Sequence, residues 1–175
     1  ASFLATQPYG TIPAAFSPDG KIGIFESNSI MRLVARLKSK NNTLYGSNPY
    51  EASRIDGFLD SSLIFARSSQ TYLLSIHNGS VTKTIRNEAK EAYINYMKGI
   101  ENALRENKKN GCITSKNITL ADICFFCEFS LFYREIIPLN TPKNGINSII
   151  NELGPKFFNL SIKHFKKLRK HPYFK

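Results

Sequence analysis

The 175-residue chain contains no uncharged apolar run near the roughly 18 residues that a membrane span needs, and no signal-peptide pattern opens it. Cysteine is scarce. Three residues, an odd count, exclude the even framework of a disulfide-stapled secreted mini-domain. Neither an internal repeat nor a low-complexity tract interrupts the sequence. The 42% hydrophobic share is too high for a chain that stays disordered. These absences leave a soluble globular protein, expected in the cytoplasm, with the length of one domain or slightly more.

Acidic residues are also few, 13 against 24 Lys plus Arg, which gives a net charge of +11 and a pI near 9.7. Such a surplus attracts phosphate-rich partners. A genome favouring Lys, Asn and Ile codons produces the same surplus, and the abundance of those residues here favours that reading. The excess gathers near the end, at Lys156, Lys163, Lys166, Lys167, Arg169, Lys170 and Lys175, and a helix of that composition ordinarily presents a solvated face.

Along the chain, Ser2 to Gly10 reads as the tail of a helix and a loop. Ile12-Pro13-Ala14-Ala15-Phe16 and Lys21-Ile22-Gly23-Ile24-Phe25 flank Ser17-Pro18-Asp19-Gly20, whose turn chemistry predicts a β-hairpin with Ile22 and Ile24 alternating. Ser27 suits an N-cap, followed by Ile30, Met31, Val34 and Leu37 at helical spacing. The polar stretch Asn41 to Pro49 separates this opening, residues 1–40, from a helical remainder, residues 49–175.

In that remainder one stripe is Ile55, Phe58, Leu59, Leu63 and Ala66. A second is Ile85, Ala89, Tyr93, Tyr96, Ile100 and Leu104, with Asn78-Gly79 between them. Thr119 to Glu135 has almost no polar face and is expected to be buried on most sides. Thr119 with Asp122 forms a capping-box variant, Ile118 and Ile123 a hydrophobic staple, and Pro138 and Pro142 end the helix. A last helical stretch is predicted over roughly Pro155 to Lys170. The fold class is therefore α+β, mostly α: a hairpin and one helix, then an all-helical bundle. A lone hairpin has too few strands to be stable by itself, so part of a sheet is expected upstream.

Chemistry is sparse. Cys124 and Cys127 have the CxxC spacing but fall mid-helix among aromatics, where core packing is the ordinary role. Cys112 and three scattered histidines, His77, His164 and His171, supply no zinc set, so no metal is expected. The histidines are read as surface or capping residues without a partner carboxylate. The sequons at Asn41, Asn78, Asn117 and Asn159 are read as chance. The most specific feature is Gly10-Thr11-Ile12-Pro13 with Glu26-Ser27 opening a helix, because a helix N-terminus offers unpaired N–H groups to a carboxylate or phosphate. Taken alone, Ser27 as a simple cap and Pro13 as a simple turn explain it as well.

Gly10-Thr11-Ile12-Pro13-Ala14, Asp19-Gly20, Phe25-Glu26-Ser27-Asn28-Ser29-Ile30 and Ile118-Thr119-Leu120-Ala121-Asp122-Ile123, in that order, resemble the cytosolic glutathione transferase superfamily. So do Phe157-Phe158-Asn159-Leu160 and His171-Pro172-Tyr173-Phe174. The closer similarity is to bacterial transferases and to the transferase-like domain of the gamma subunit of eukaryotic elongation factor one B. The resemblance implies a thioredoxin-like glutathione-binding domain, of which residues 1–40 are the C-terminal half, and a helical C-terminal domain over residues 49–175. It implies that Pro13 is the family's cis-proline, that the Ile12 backbone pairs with the cysteinyl unit of glutathione, and that Glu26 and Ser27 hold its γ-glutamyl end. Arg67 and Tyr72 fall near the family's acceptor pocket.

The family's catalytic Tyr, Ser or Cys lies upstream of the segment matched here, so the catalytic residue is unknown: either the chain is a fragment, or its upstream half is supplied elsewhere, or activity has been lost. Glutathione as substrate, a small electrophile and a homodimer are the implied partners, with no membrane. The alternative is a non-catalytic interaction module of the translation elongation factor gamma type, in contact with nucleic acid or translation factors.

Overall fold

In the computed structural model, which describes residues 3–37, 43–109, 111–135 and 147–174, a short helix α1 (Phe3–Thr6) leads into strand β1 (Ala14–Phe16) and strand β2 (Gly23–Phe25). The strands pair antiparallel, with Ala14 opposite Phe25, Ala15 opposite Ile24 and Phe16 opposite Gly23. Their turn is held as its composition predicts. The Ser17 hydroxyl and the Lys21 N–H both donate to Asp19 Oδ1, and Gly20 takes a φ of 71°. Ile22 lies outside the strand and is exposed, so the expected alternation with Ile24 does not develop in so short a pair.

Helix α2 (Ser27–Leu37) follows β2 directly. Its inward residues are Asn28 and Ala35, while Val34 and Leu37 face solvent, a rotation away from the predicted stripe. The cause is polar. The buried Asn28 amide donates to the Leu59 carbonyl at 2.6 Å, and Arg32, one turn on, bonds Asp56 and Asp60 at 2.5 and 2.7 Å.

Helix α3 (Pro49–His77) starts where Asn48 accepts from the N–H groups of Tyr50 and Glu51, with Pro49 at the first helical position. The preceding loop turns at Gly46 with a φ of 81°. A Cβ there would sit 2.7 Å from the Glu51 Cβ and 2.9 Å from the Ala52 nitrogen, so only glycine fits. Ile55, Leu59 and Ala66 are buried as expected, but Leu63 is exposed and Ser62 takes the inner position. Ser62, Ser69 and Ser75 all face inward and satisfy their hydroxyls on carbonyls three residues back.

Helix α4 (Lys83–Glu106), capped by Thr82, buries Ala89, Tyr93, Tyr96, Ile100 and Leu104. Helix α5 (Leu120–Phe132) packs against α3 and the last helix and fully buries Phe125, Phe129 and Phe132. A 3-10 turn (Tyr133–Glu135) follows it; the expected stops at Pro138 and Pro142 lie outside the described residues, as does the Asn41 sequon.

The capping box is present: the Thr119 N–H donates to Asp122 Oδ2 at 2.9 Å. Asp122 does more than cap. Its Oδ1 also accepts the Ile113 N–H and touches His164 Nε2 at 2.8 Å. His164 is therefore a buried partner of a carboxylate, correcting the surface role expected for it. The terminal helical stretch is divided into separate helices. There are two, α6 (Ile149–Phe157) and α7 (Asn159–Arg169), broken at Phe158. The buried Glu101 of α4 accepts the Leu160 and Ser161 N–H groups and so starts α7 afresh. No helix among the described residues is long and apolar enough to cross a membrane.

Candidate functional site

The register of β1 and β2 builds the site. Because Ala14 stands opposite Phe25, the residues just before one and just after the other, Ile12-Pro13 and Glu26-Ser27, meet at the open end of the hairpin. The Ile12–Pro13 peptide is cis, and Ile12 is 85% exposed. Glu26 has a φ of 68°, a left-handed conformation that non-glycine residues adopt rarely and mostly where the surrounding structure holds them. Its carbonyl accepts the Ile30 N–H at 3.0 Å. Glu26 is thus the N-cap by backbone, and Ser27 is the first helical residue rather than the cap expected from composition.

The first N–H groups of α2 have no intrahelical acceptor and are oriented outward along the axis, beside the exposed Ser27 hydroxyl. What holds this end in place lies deeper. Asn28 is locked on Leu59 and lies near Ser62, whose hydroxyl accepts from the Cys124 thiol at 3.1 Å, so α2 is joined to α3 and α5 immediately behind Ser27. Gln7, fully buried, donates Nε2 to the Thr11 carbonyl at 2.6 Å and to the Thr11 hydroxyl at 2.7 Å, fixing the turn that leads into Ile12. Neither supporting residue carries a sequence signal: Gln7 is an ordinary polar residue in a loop, and Asn28 one in a helix.

An anionic group fits the α2 terminus and a cationic one fits Glu26. Burial pushes the Cys124 thiol up to about 12 and raises those of Cys112 and Cys127, which disfavours the thiolate at all three. Cys124 and Cys127 are core and surface positions of one helix, and no group of three His, Cys, Asp or Glu gathers among the described residues. Arg67 and Tyr72 do not come together. Arg67 is exposed on α3, whereas Tyr72 is fully buried against Phe132.

Tyr72 belongs to a different cluster. Glu135 is fully buried, and its Oε1 accepts the Ser148 hydroxyl at 2.8 Å and the Ile150 N–H at 2.7 Å, capping α6. Its Oε2 and the hydroxyls of Tyr72 and Tyr93 have no partner among the described residues. Burial raises the Glu135 carboxyl above its ordinary range, offset in part by those hydrogen bonds. A folded-state value above the unfolded one contributes stability that is complete below the ordinary carboxylate range and is lost as pH climbs through the raised value. Glu135→Gln keeps the acceptor, removes the charge and adds a donor for the phenols. We expect it to flatten the decline in stability that sets in as pH rises above the ordinary carboxylate range, and to be more stable than wild type where Glu135 would be ionised, by urea unfolding. An unchanged slope would show that Glu135 does not carry this pH dependence.

No protein-family model matches the chain. It is 32% identical over 139 residues to a rice protein, "Elongation factor 1-gamma 1" of Oryza sativa subsp. japonica, covering 79% of this chain and 32% of that one. The chain thus spans about a third of the length of the curated relatives it matches. Among solved structures, a glutathione S-transferase from Methylobacillus flagellatus with glutathione bound superposes with a TM-score of 0.72 at 12% identity, over 98% of this chain and 77% of that one. Na-GST-3, a glutathione S-transferase of the hookworm Necator americanus, gives 0.69 at 22%, over 95% and 72%.

Proposed function

We propose that this chain, which has the glutathione transferase fold, binds glutathione at the open end of its hairpin and takes part in its transfer to an electrophile when a complete N-terminal domain is present. The observation that carries the reading is the meeting of Ile12-Pro13 with Glu26-Ser27 beside the free N-terminus of α2. The γ-glutamyl carboxylate would sit on that terminus and the Ser27 hydroxyl, its ammonium near Glu26, and the cysteinyl unit along the Ile12 backbone. The γ-glutamyl end, with one cationic and one anionic group, matches a site that offers one carboxylate and one helix N-terminus. The nucleophile is the ligand's own thiol; Ile12, Pro13, Glu26 and Ser27 position the tripeptide and do not activate that sulfur.

Titration calorimetry with millimolar glutathione tests the reading. Saturable binding that Ser27→Ala weakens about tenfold, the worth of one hydrogen bond to a charged group, supports it. Binding that is absent, or indifferent to Ser27, removes it.

A second reading is favoured by the 32% identity to the rice protein: a non-catalytic interaction module of the elongation factor gamma type. Glutathione binding without turnover of a chromogenic electrophile, in a protein carrying the whole N-terminal domain, selects it. A homodimer is part of this proposal, and sedimentation tests it.

A further inference from the structure

We infer that the face made by α7 and the turn after α4 is a docking surface for single-stranded nucleic acid. Helix α7 turns Ser161, Ile162, His164, Phe165 and Leu168 inward. The exposed positions left between 163 and 170 are Lys163, Lys166, Lys167, Arg169 and Lys170, every one cationic. The fold then adds charge that no linear reading joins to them. The Lys167 ammonium donates to the Gly111 carbonyl at 3.2 Å, across 56 residues of sequence, and brings α7 against the turn that exposes Lys108 and Lys109.

None of these side chains has an ion-pair partner among the described residues, and the acids that neighbour them in sequence or packing are already engaged. Asp122 is held by His164, Glu101 caps α7, and Glu106 pairs with Arg54. Cations in the last turn of α7 are explained by the helix dipole. Lys163 is not, since it lies outside that turn, and Lys108 and Lys109, which follow the C-terminus of α4, are brought to the same face by the fold.

Two features select the partner. Lysine, a point charge without arginine's planar fork, suits phosphates along a backbone more than base edges. Immediately beyond the cationic stripe, Tyr173 is 90% exposed, its ring 5.2 Å from that of His171. An open aromatic ring three residues beyond the last lysine of the stripe offers a surface on which unpaired bases stack, and neither a duplex nor an acidic protein needs it.

The test is fluorescence anisotropy with a labelled single-stranded oligouridylate over a range of salt. Affinity is expected to fall with log salt at a slope of about −2 to −4, as for roughly three to six phosphates neutralised on a single strand. Lys163→Glu/Lys166→Glu/Lys170→Glu is expected to lose at least about tenfold, and Tyr173→Ala about five- to tenfold. A control of equal net charge, Lys21→Glu/Lys83→Glu/Lys98→Glu, is expected to stay within about threefold. Circular dichroism checks that each variant keeps its fold. Equal loss in the control reduces the effect to overall charge and overturns the proposal. So does tighter binding of duplex than of single strand, or binding to phosphatidylserine vesicles without binding to the oligonucleotide.

Discussion

Asp122→Ala is expected to lower stability by about 3–5 kcal/mol, and the thermal midpoint by roughly 10 °C or more for a chain of this size. Four groups depend on that carboxylate: the N–H of Thr119, the hydroxyl of Thr119, the N–H of Ile113 and the ring of His164. Asp122 itself is fully buried, so water does not replace it. Each buried donor left unpaired costs on the order of 1–3 kcal/mol. Asp122→Asn keeps one acceptor oxygen and is expected to recover about half of the loss. Urea unfolding followed by circular dichroism measures both. A loss under about 1 kcal/mol for the alanine variant would reduce Asp122 to an ordinary exposed cap.

Glu101→Ala is expected to cost about 2–4 kcal/mol, and to do so locally. Its two oxygens accept the Leu160 N–H at 3.1 Å and the Ser161 N–H and hydroxyl at 2.8 and 2.7 Å, the first donors of α7. Without them the helix must begin on Phe158, which makes no side-chain cap. Hydrogen exchange should therefore speed up over α7 well before α3, and Glu101→Gln should restore part of the protection. Uniform acceleration across both helices would show that Glu101 acts through the whole core instead of capping one helix. The same variant bears on the cationic face, because a frayed α7 no longer holds Lys163 and Lys167 in register beside Lys108 and Lys109.

The hairpin turn at Ser17-Pro18-Asp19-Gly20, the Thr119–Asp122 box and the stripe of α4 are all readable from composition. Each is closed by partners within a few residues, or repeats with the helix itself. The departures share one origin. Leu63 has the spacing of a core residue and Ser62 that of a surface one, yet serine lies inside because a small side chain that bonds its own helix lets the neighbouring helix approach. Ser27 has the composition of a cap, yet Glu26 in a left-handed conformation fills that position.

Residues 155–170 read as one helical stretch because their apolar spacing barely shifts at Phe158. The break comes from a carboxylate on α4, 60 residues away from Ser161. His164 reads as solitary because its partner Asp122 is 42 residues upstream.

Turns, caps and helical stripes thus follow from the order of residues, since their hydrogen bonds span about four positions and short-range sterics choose among few backbone states. The rotation of α2, the second start at α7 and the gathering of one cationic face follow from packing. Each depends on a polar group meeting a distant partner once water has been excluded, and the energy of that meeting is absent from any local window.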